Sequence, residues 1–234
     1  MKIALLGYGK MGKVIERIAL DRGHQIVLKI DKGDSGYNLK DADVAIDFSV
    51  PTAAFHNLKK CMENGVPVVC GTTGWLDKYD EIVNFCQEKN GAMIYASNFS
   101  IGVNLFFKLN EYLAKLMNGI EGYEVYMEEI HHTQKLDAPS GTAITLAEQI
   151  IRNSNKTGWN IEVPVEEELY IDVKRENDVP GTHIVTYKSN EDLISIEHRA
   201  QSREGFALGA VLSAEWLKGK QGVYSIQDVL NMDM

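Results

Sequence analysis

Lys2-Ile3-Ala4-Leu5-Leu6-Gly7-Tyr8-Gly9-Lys10-Met11-Gly12 joins a short apolar run to a glycine-spaced turn, and its reading decides the fold. The run has the length of a buried strand, and residues 11–22 then repeat Val14, Ile15 and Ile18 at helical spacing. A second apolar run follows over residues 25–30. Strand, turn, helix and strand make a beta-alpha-beta unit, the setting in which a Gly-x-Gly-x-x-Gly turn binds a dinucleotide. Gly7 and Gly9, with Tyr8, Lys10 and Met11 between and after them, let backbone amides approach a pyrophosphate at the helix N-terminus, where unpaired N–H groups favour an anion. Gly12 allows the helix to pack closely on the strand. Asp31 lies 19 residues after Gly12, where a carboxylate accepts both ribose hydroxyls and favours NAD. Lys32 beside it suits a 2'-phosphate, so NADH and NADPH both stay open as cofactors.

Working outward, the alternation continues. Residues 43–48, 66–70 and 92–96 read as strands and residues 52–64 and 77–89 as helices, the pattern of an α/β, doubly wound parallel sheet. Ligands gather at the carboxyl ends of such strands, which here carry Gly71-Thr72-Thr73-Gly74 and Ala96-Ser97-Asn98-Phe99. Small residues, hydroxyls and an amide suit a nicotinamide and its ribose, and Phe48-Ser49-Val50-Pro51 is placed to wall the same crevice. A helix over residues 103–117 places Leu105, Phe106, Leu109, Leu113 and Leu116 at core spacing. From Tyr123 the period becomes two, with Val125 and Met127 alternating against Glu124, Tyr126 and Glu128, so a second domain is expected near there. Strands follow over residues 168–174, 183–188 and 193–198, the last two joined by a turn at Ser189-Asn190-Glu191-Asp192. A helix over 142–152 interrupts them, residues 153–158 read as a mobile loop, and a helix over 205–218 is expected to pack back on the first domain.

Composition narrows the function. The 234 residues are 44% hydrophobic and 24% charged, with no apolar run long enough to span a bilayer. The N-terminal apolar run is too short for a secretory signal, so a cytoplasmic location is expected. Cys61, Cys70 and Cys86 are odd in number and lack metal-ligand spacing, which fits reduced buried thiols and argues against a metal. A net charge of -9 opposes nucleic acid and anionic membranes and leaves a small molecule as the expected partner.

The acid–base chemistry concentrates in Glu129-Ile130-His131-His132-Thr133-Gln134-Lys135-Leu136-Asp137-Ala138-Pro139-Ser140-Gly141-Thr142-Ala143. Consecutive histidines at a strand end point oppositely, and Lys135 follows in a loop. Imidazole exchanges protons near neutrality, while lysine neutralises a carboxylate or acts as an acid. Ser140 reads as the N-cap of the next helix, aiming the Gly141 and Thr142 amides at an anion. Together with the glycine turn this reads as the equipment of a pyridine-nucleotide reductase, with a small anionic substrate expected. Two readings share that turn: a different dehydrogenase of the same fold, and a nucleotide-sensing module that would tolerate loss of His131 and Lys135.

The run His-His-x-x-Lys-x-Asp-Ala-Pro-Ser-Gly-Thr-Ala resembles the signature of the 4-hydroxy-tetrahydrodipicolinate (dihydrodipicolinate) reductase family of lysine and diaminopimelate biosynthesis. The likeness extends through Gly7 to Gly12, Asp47-Phe48-Ser49, Gly71 to Gly74, Asn98 to Asn104, Gly181-Thr182-His183, His198-Arg199-Ala200 and Gly222-Val223-Tyr224. It implies His131 as proton donor or acceptor, Lys135 as a second proton donor, and His132, Gly141 and Thr142 as ligands of a substrate carboxylate. It implies hydride delivery to C4 of a cyclic imine acid, loss of the 4-hydroxyl as water and protonation at C3. The architecture implied is a Rossmann-type dinucleotide-binding domain over residues 1–101 and 205–234, with an α+β mixed-sheet domain over 102–204 that binds substrate and assembles a homotetramer. The chain departs from the family pattern in a glycine turn one residue shorter than in many members, and in Thr133-Gln134 where a basic pair is usual.

Overall fold

The computed structural model describes residues 1–31, 33, 34 and 36–231. The first part of the chain forms β1 (Lys2–Leu6), α1 (Lys10–Asp21), β2 (Gln25–Ile30), β3 (Val44–Asp47), α2 (Pro51–Glu63), β4 (Val68–Cys70), a 3-10 turn (Leu76–Lys78), α3 (Tyr79–Glu88), β5 (Ala92–Tyr95) and α4 (Ile101–Met117). There follow β6 (Glu124–His131), α5 (Gly141–Arg152), β7 (Gly158–Asn160), β8 (Glu168–Arg175), β9 (Thr182–Lys188) and β10 (Leu193–Arg199). The chain continues with α6 (Glu204–Leu217), β11 (Gly222–Tyr224) and α7 (Ile226–Val229). Two compact units result, Met1–Ile101 with Arg203–Met234, and Gly102–Ser202.

The first unit is a six-stranded parallel sheet in the order β11-β5-β4-β3-β1-β2. Alternate residues of β1 explain why its run is apolar throughout. Ile3 and Leu5 join Ile15 and Ile18 of α1 and Ala207 and Val211 of α6 on one face, while Ala4 and Leu6 join Leu58 of α2 and Ile82 of α3 on the other. A strand covered on both faces has no solvent side on which to place polar residues. Because β1 lies between β2 and β3, the chain reverses its direction of travel across the sheet there, the position at which open parallel sheets bind ligands beside the carboxyl ends of their strands. Cys61, Cys70 and Cys86 are buried and form no disulfide.

The second unit is a mixed five-stranded sheet, β10-β9-β6-β8-β7, in which β6 runs parallel to β8 and antiparallel to β9. Its core draws Phe106 and Ala114 from α4, Leu146 and Ile150 from α5, and Met127, Ile171 and Val185 from the sheet. The unit therefore begins at Gly102, before the change of period at Tyr123, because α4 packs with this sheet. Asn110 ties the two helices, donating to the Leu146 carbonyl at 3.1 Å and to Gln149 Oε1 at 2.9 Å.

Two expectations need correction, and one strand was not foreseen. Leu105, Leu109 and Leu116 are not core: with Tyr112 they are 55%, 50%, 55% and 60% exposed along one side of α4, while Val103, Phe106, Asn110 and Ala114 face inward. Helical spacing identified the helix, but this helix is apolar on more than the stripe its own unit covers. Gly158, read as the end of a loop, opens a short strand paired with Glu168. Gly222–Tyr224 adds a sixth strand beside β5, too short and too little buried for its pattern to show. Among the described residues no helix is long and apolar enough to cross a membrane.

Candidate active site

The glycine turn after β1 is built by close approach. Gly7 adopts φ +99°, and a Cβ there would stand 2.2 Å from the Phe48 carbonyl oxygen at the end of β3. A Cβ on Gly12 would stand 2.3 Å from the Gly7 carbonyl oxygen, so both positions exclude a side chain. Gly9 differs: it is the N-cap of α1, makes no side-chain cap, and nothing lies within 4 Å of where its Cβ would be. Gly7 and Gly12 thus shape the turn, and Gly9 leaves a backbone approach open to a ligand at the helix start. Tyr8 donates to Glu16, and Lys29 sits 4.8 Å from the Tyr8 ring centre. Lys10 and Met11 open α1. Asp31 follows β2 directly, its amide donating to Asp34 Oδ2 at 2.8 Å, whereas Lys32 lies outside the described residues.

Behind this turn the sequence motifs serve structure as much as binding. Asp47 is fully buried and accepts hydrogen bonds from Thr72, from Ser49 Oγ at 2.9 Å and from Asn57 Nδ2 at 2.7 Å. Burial raises its pKa, and those three donors oppose the rise. The Thr72 hydroxyl also accepts from the Ser49 amide at 2.8 Å, so its side chain is committed to holding two loops together. A Cβ on Gly71 would meet the Phe48 ring at 2.2 Å. Thr73 is exposed, Ala96 is buried, and Ser97 and Asn98 continue the loop after β5, with Asn98 Oδ1 accepting from the Ser100 amide at 2.8 Å. Phe99 is a core residue, 5.9 Å from Phe48 between ring centres, so only its backbone is available to a cofactor.

A cluster of titratable side chains grows from β6 in the second unit. Period two carries Met127, Glu129 and His131 to the buried face of that strand. Register sets Glu129 opposite His183 of β9 and His131 opposite Arg175 of β8. The Glu129 carboxylate accepts from both Arg175 Nη atoms at 3.3 Å and from the Ser140 amide at 2.9 Å. Ser140 Oγ caps α5 by accepting from the Ala143 amide at 3.1 Å, and it also shares a hydrogen bond with His183 Nε2 at 3.0 Å. Burial foremost, with the nearby His131, His198 and Lys135 charges, pushes His183 down to about 3, so this ring is neutral. Its edge meets the His131 ring at 5.1 Å between centres. His131 is also lowered by burial, which Glu129 opposes and Lys135, Arg175 and His132 reinforce.

Beyond His131 the chain leaves the strand. Lys135 Nζ donates to both Asp137 oxygens, at 2.8 and 2.7 Å, and this holds the Asp137 carboxyl below its usual range. Arg175 Nη2 donates to the Asp137 carbonyl at 2.8 Å, latching the loop to β8. At the start of α5 the Gly141 and Thr142 amides have no acceptor among the described residues, and nothing lies within 4 Å of where a Gly141 Cβ would be. A helix start with two unpaired N–H groups opening on clear space suits a carboxylate. Glu129, His131 and His183 also offer donor atoms within 4.8 Å of one another, the spacing of ion ligands. Arg175, the Ser140 amide and the Ser140 hydroxyl already occupy Glu129 and His183 there.

His131, His132, Lys135, Gly141 and Thr142 thus share one corner of the second unit. Glu129 and Arg175 were missed as site residues. The signal for Glu129 was available, since the alternation of Val125 and Met127 continues through residue 129 to His131. Arg175 had none, because its place depends on strand register.

A parallel sheet with a glycine turn at its switch point, on one chain with a histidine, lysine and anion-binding cluster, defines a pyridine-nucleotide oxidoreductase of the Rossmann class. Residues 1–99 match the family described as Dihydrodipicolinate reductase, N-terminus, and residues 102–230 the one described as Dihydrodipicolinate reductase, C-terminus. The chain belongs to the dihydrodipicolinate reductase family. It is 56% identical to the 4-hydroxy-tetrahydrodipicolinate reductase of Christiangramia forsetii, across 99% of this chain and 98% of that protein. It is 33% identical to the enzyme of the same name from Neisseria meningitidis, across 100% and 98%. The dipicolinate-bound dihydrodipicolinate reductase from Paenisporosarcina sp. TG-14 shares the fold, with a TM-score of 0.80 at 23% identity over 96% of this chain and 97% of that one.

Proposed function

We propose that this chain reduces 4-hydroxy-tetrahydrodipicolinate to tetrahydrodipicolinate with NADH or NADPH, a step of lysine and diaminopimelate biosynthesis. The observation that carries the reading is the second-unit corner itself: a buried imidazole, a lysine and two unpaired helix-start amides, within a chain related over its full length to reductases of that name.

The open backbone at Gly9 and the start of α1 fit a dinucleotide pyrophosphate. The unit Met1–Ile101 with Arg203–Met234 would hold the cofactor through Gly7 to Gly12, Asp31 and the loops containing residues 71–73 and 96–99. A bound nicotinamide supplies the hydride for C4. In the second unit, Gly141, Thr142 and His132 bind a substrate carboxylate, and the Lys135 ammonium adds positive charge beside it. His131 Nδ1 is buried toward Glu129, so the atom that exchanges a proton with substrate is Nε2. Lys135 Nζ, held by Asp137, is the second donor, and the two between them serve departure of the 4-hydroxyl as water and protonation at C3. Asp31 favours NADH, and Lys32 leaves NADPH open. The half-exposed stripe of Leu105, Leu109, Tyr112 and Leu116 supports a homotetramer joined through this unit, and the biosynthetic relatives support a cytoplasmic location.

The test follows absorbance at 340 nm with each nicotinamide, the substrate being made in the cuvette from pyruvate and aspartate semialdehyde by its synthase. Oxidation that depends on the synthase product is expected and ranks the two cofactors. Cofactor binding without oxidation of either would contradict the reading and favour a sensor.

A further inference from the structure

Glu129 is the one fully buried carboxylate among the described residues of Gly102–Ser202. Such a charge persists only where donors compensate its lost hydration. Arg175 supplies both Nη atoms to Oε1, and the Ser140 amide serves Oε2. Oε2 also stands 3.8 Å from two histidine nitrogens, His183 Nε2 and His131 Nδ1. The His183 nitrogen is already engaged by the Ser140 hydroxyl at 3.0 Å. His131 Nδ1 is buried with no hydrogen-bond partner, which leaves it as the atom whose proton Glu129 can accept. On the other side of the ring a Cβ on Gly181 would come 3.0 Å from Nε2, so the absence of a side chain there keeps that nitrogen clear.

We propose that Glu129 is the positioning residue of this site: its carboxylate holds the His131 ring and the Ser140 turn in one frame and supplies the counter-charge when His131 carries its second proton. Arg175 extends the frame, since the guanidinium on Glu129 also fastens the Asp137 carbonyl, and Asp137 holds Lys135. One buried ion pair therefore registers both proton donors and the anion-binding helix start. The assignment rests on the reading of His131 as the proton-exchanging ring.

The groups that face His131 are Glu129 on its own strand, Arg175 on β8, His183 on β9 with His198 behind it on β10, and His132, Lys135 and Asp137 in the following loop. Of these, Glu129 stabilises the protonated ring, while Arg175, Lys135 and His132 oppose it. Neutralising Glu129 therefore lowers the pH at which His131 loses its proton, and neutralising Arg175 raises it. Activity that needs protonated His131 falls as pH rises through that point, so the basic limb of the rate profile moves in the same two directions.

The experiment titrates the His131 Cε1–H resonance by NMR in the full-length protein, assigned by its loss in His131→Asn, and compares the wild type with Glu129→Gln and Arg175→Gln. The expected result is a midpoint about 1 pH unit lower in Glu129→Gln and higher in Arg175→Gln. With it, kcat in Glu129→Gln should drop at least about tenfold while cofactor affinity holds. Midpoints unmoved in both variants would overturn the assignment, and should Glu129→Gln not fold, an unmoved midpoint in Arg175→Gln alone would overturn it. A wild type inert toward the synthase product would count against the reductase reading, and the NMR midpoints, which need no turnover, would still decide the role of Glu129.

Discussion

At the scale of single residues, His183 couples the fold to pH. Its ring stays neutral down to about 3 because burial penalises the charge and the nearby His131, His198 and Lys135 charges add to that penalty, while an unfolded histidine titrates near 6.5. Below pH 6.5 the unfolded chain takes up a proton that the folded chain refuses, so stability falls as pH drops, by up to about 1.4 kcal/mol per pH unit for this one group. His131 and His198, both lowered by burial, act in the same direction. The expected outcome is a urea midpoint that declines from pH 6.5 to 5, with a shallower decline in His183→Gln; equal slopes would contradict the assignment. Residue type and spacing were enough to single out His131, Lys135 and the Ser140 cap. They were not enough for Arg175, whose partner lies 46 residues away in sequence and is set by strand pairing.

At the scale of elements, α4 carries two apolar faces. Its inward face is held by Phe106 and Ala114 in the core and by the Asn110 link to α5. The outward stripe of Leu105, Leu109, Tyr112 and Leu116 is what a subunit contact would cover. Leu105→Glu with Leu109→Glu should leave the far-UV spectrum intact and shift sedimentation from the proposed tetramer to smaller species, because a charge buried in an apolar contact is strongly unfavourable. A tetramer that survived both charges would remove this stripe from the interface. The same helix shows the limit of periodicity, which reports that residues share a face but not what covers it. The alternating strands of the first unit were legible because both faces of a parallel sheet must be apolar. β7 and β11 were not, since three half-buried residues carry no period.

At the scale of the whole molecule, the proposed function would divide the chemistry between two units. One offers a glycine turn at the β1 switch point, and the other a histidine, lysine and helix-start corner at the end of β6. Both motifs were legible because each is contiguous in sequence. The loops after β4 and β5 were legible as positions but not as roles, for Thr72 turned out to spend its hydroxyl on Asp47 and Phe99 its ring on the core. On the proposed function one chain would hold the nicotinamide in the first unit and deliver protons from the second. This division is tested most directly by measuring turnover and nicotinamide affinity together in Lys135→Ala. The expected result is that kcat on the synthase-derived substrate falls by about 10²–10⁴-fold while cofactor Kd stays within about twofold of the wild type. Turnover equal to that of the wild type would contradict it.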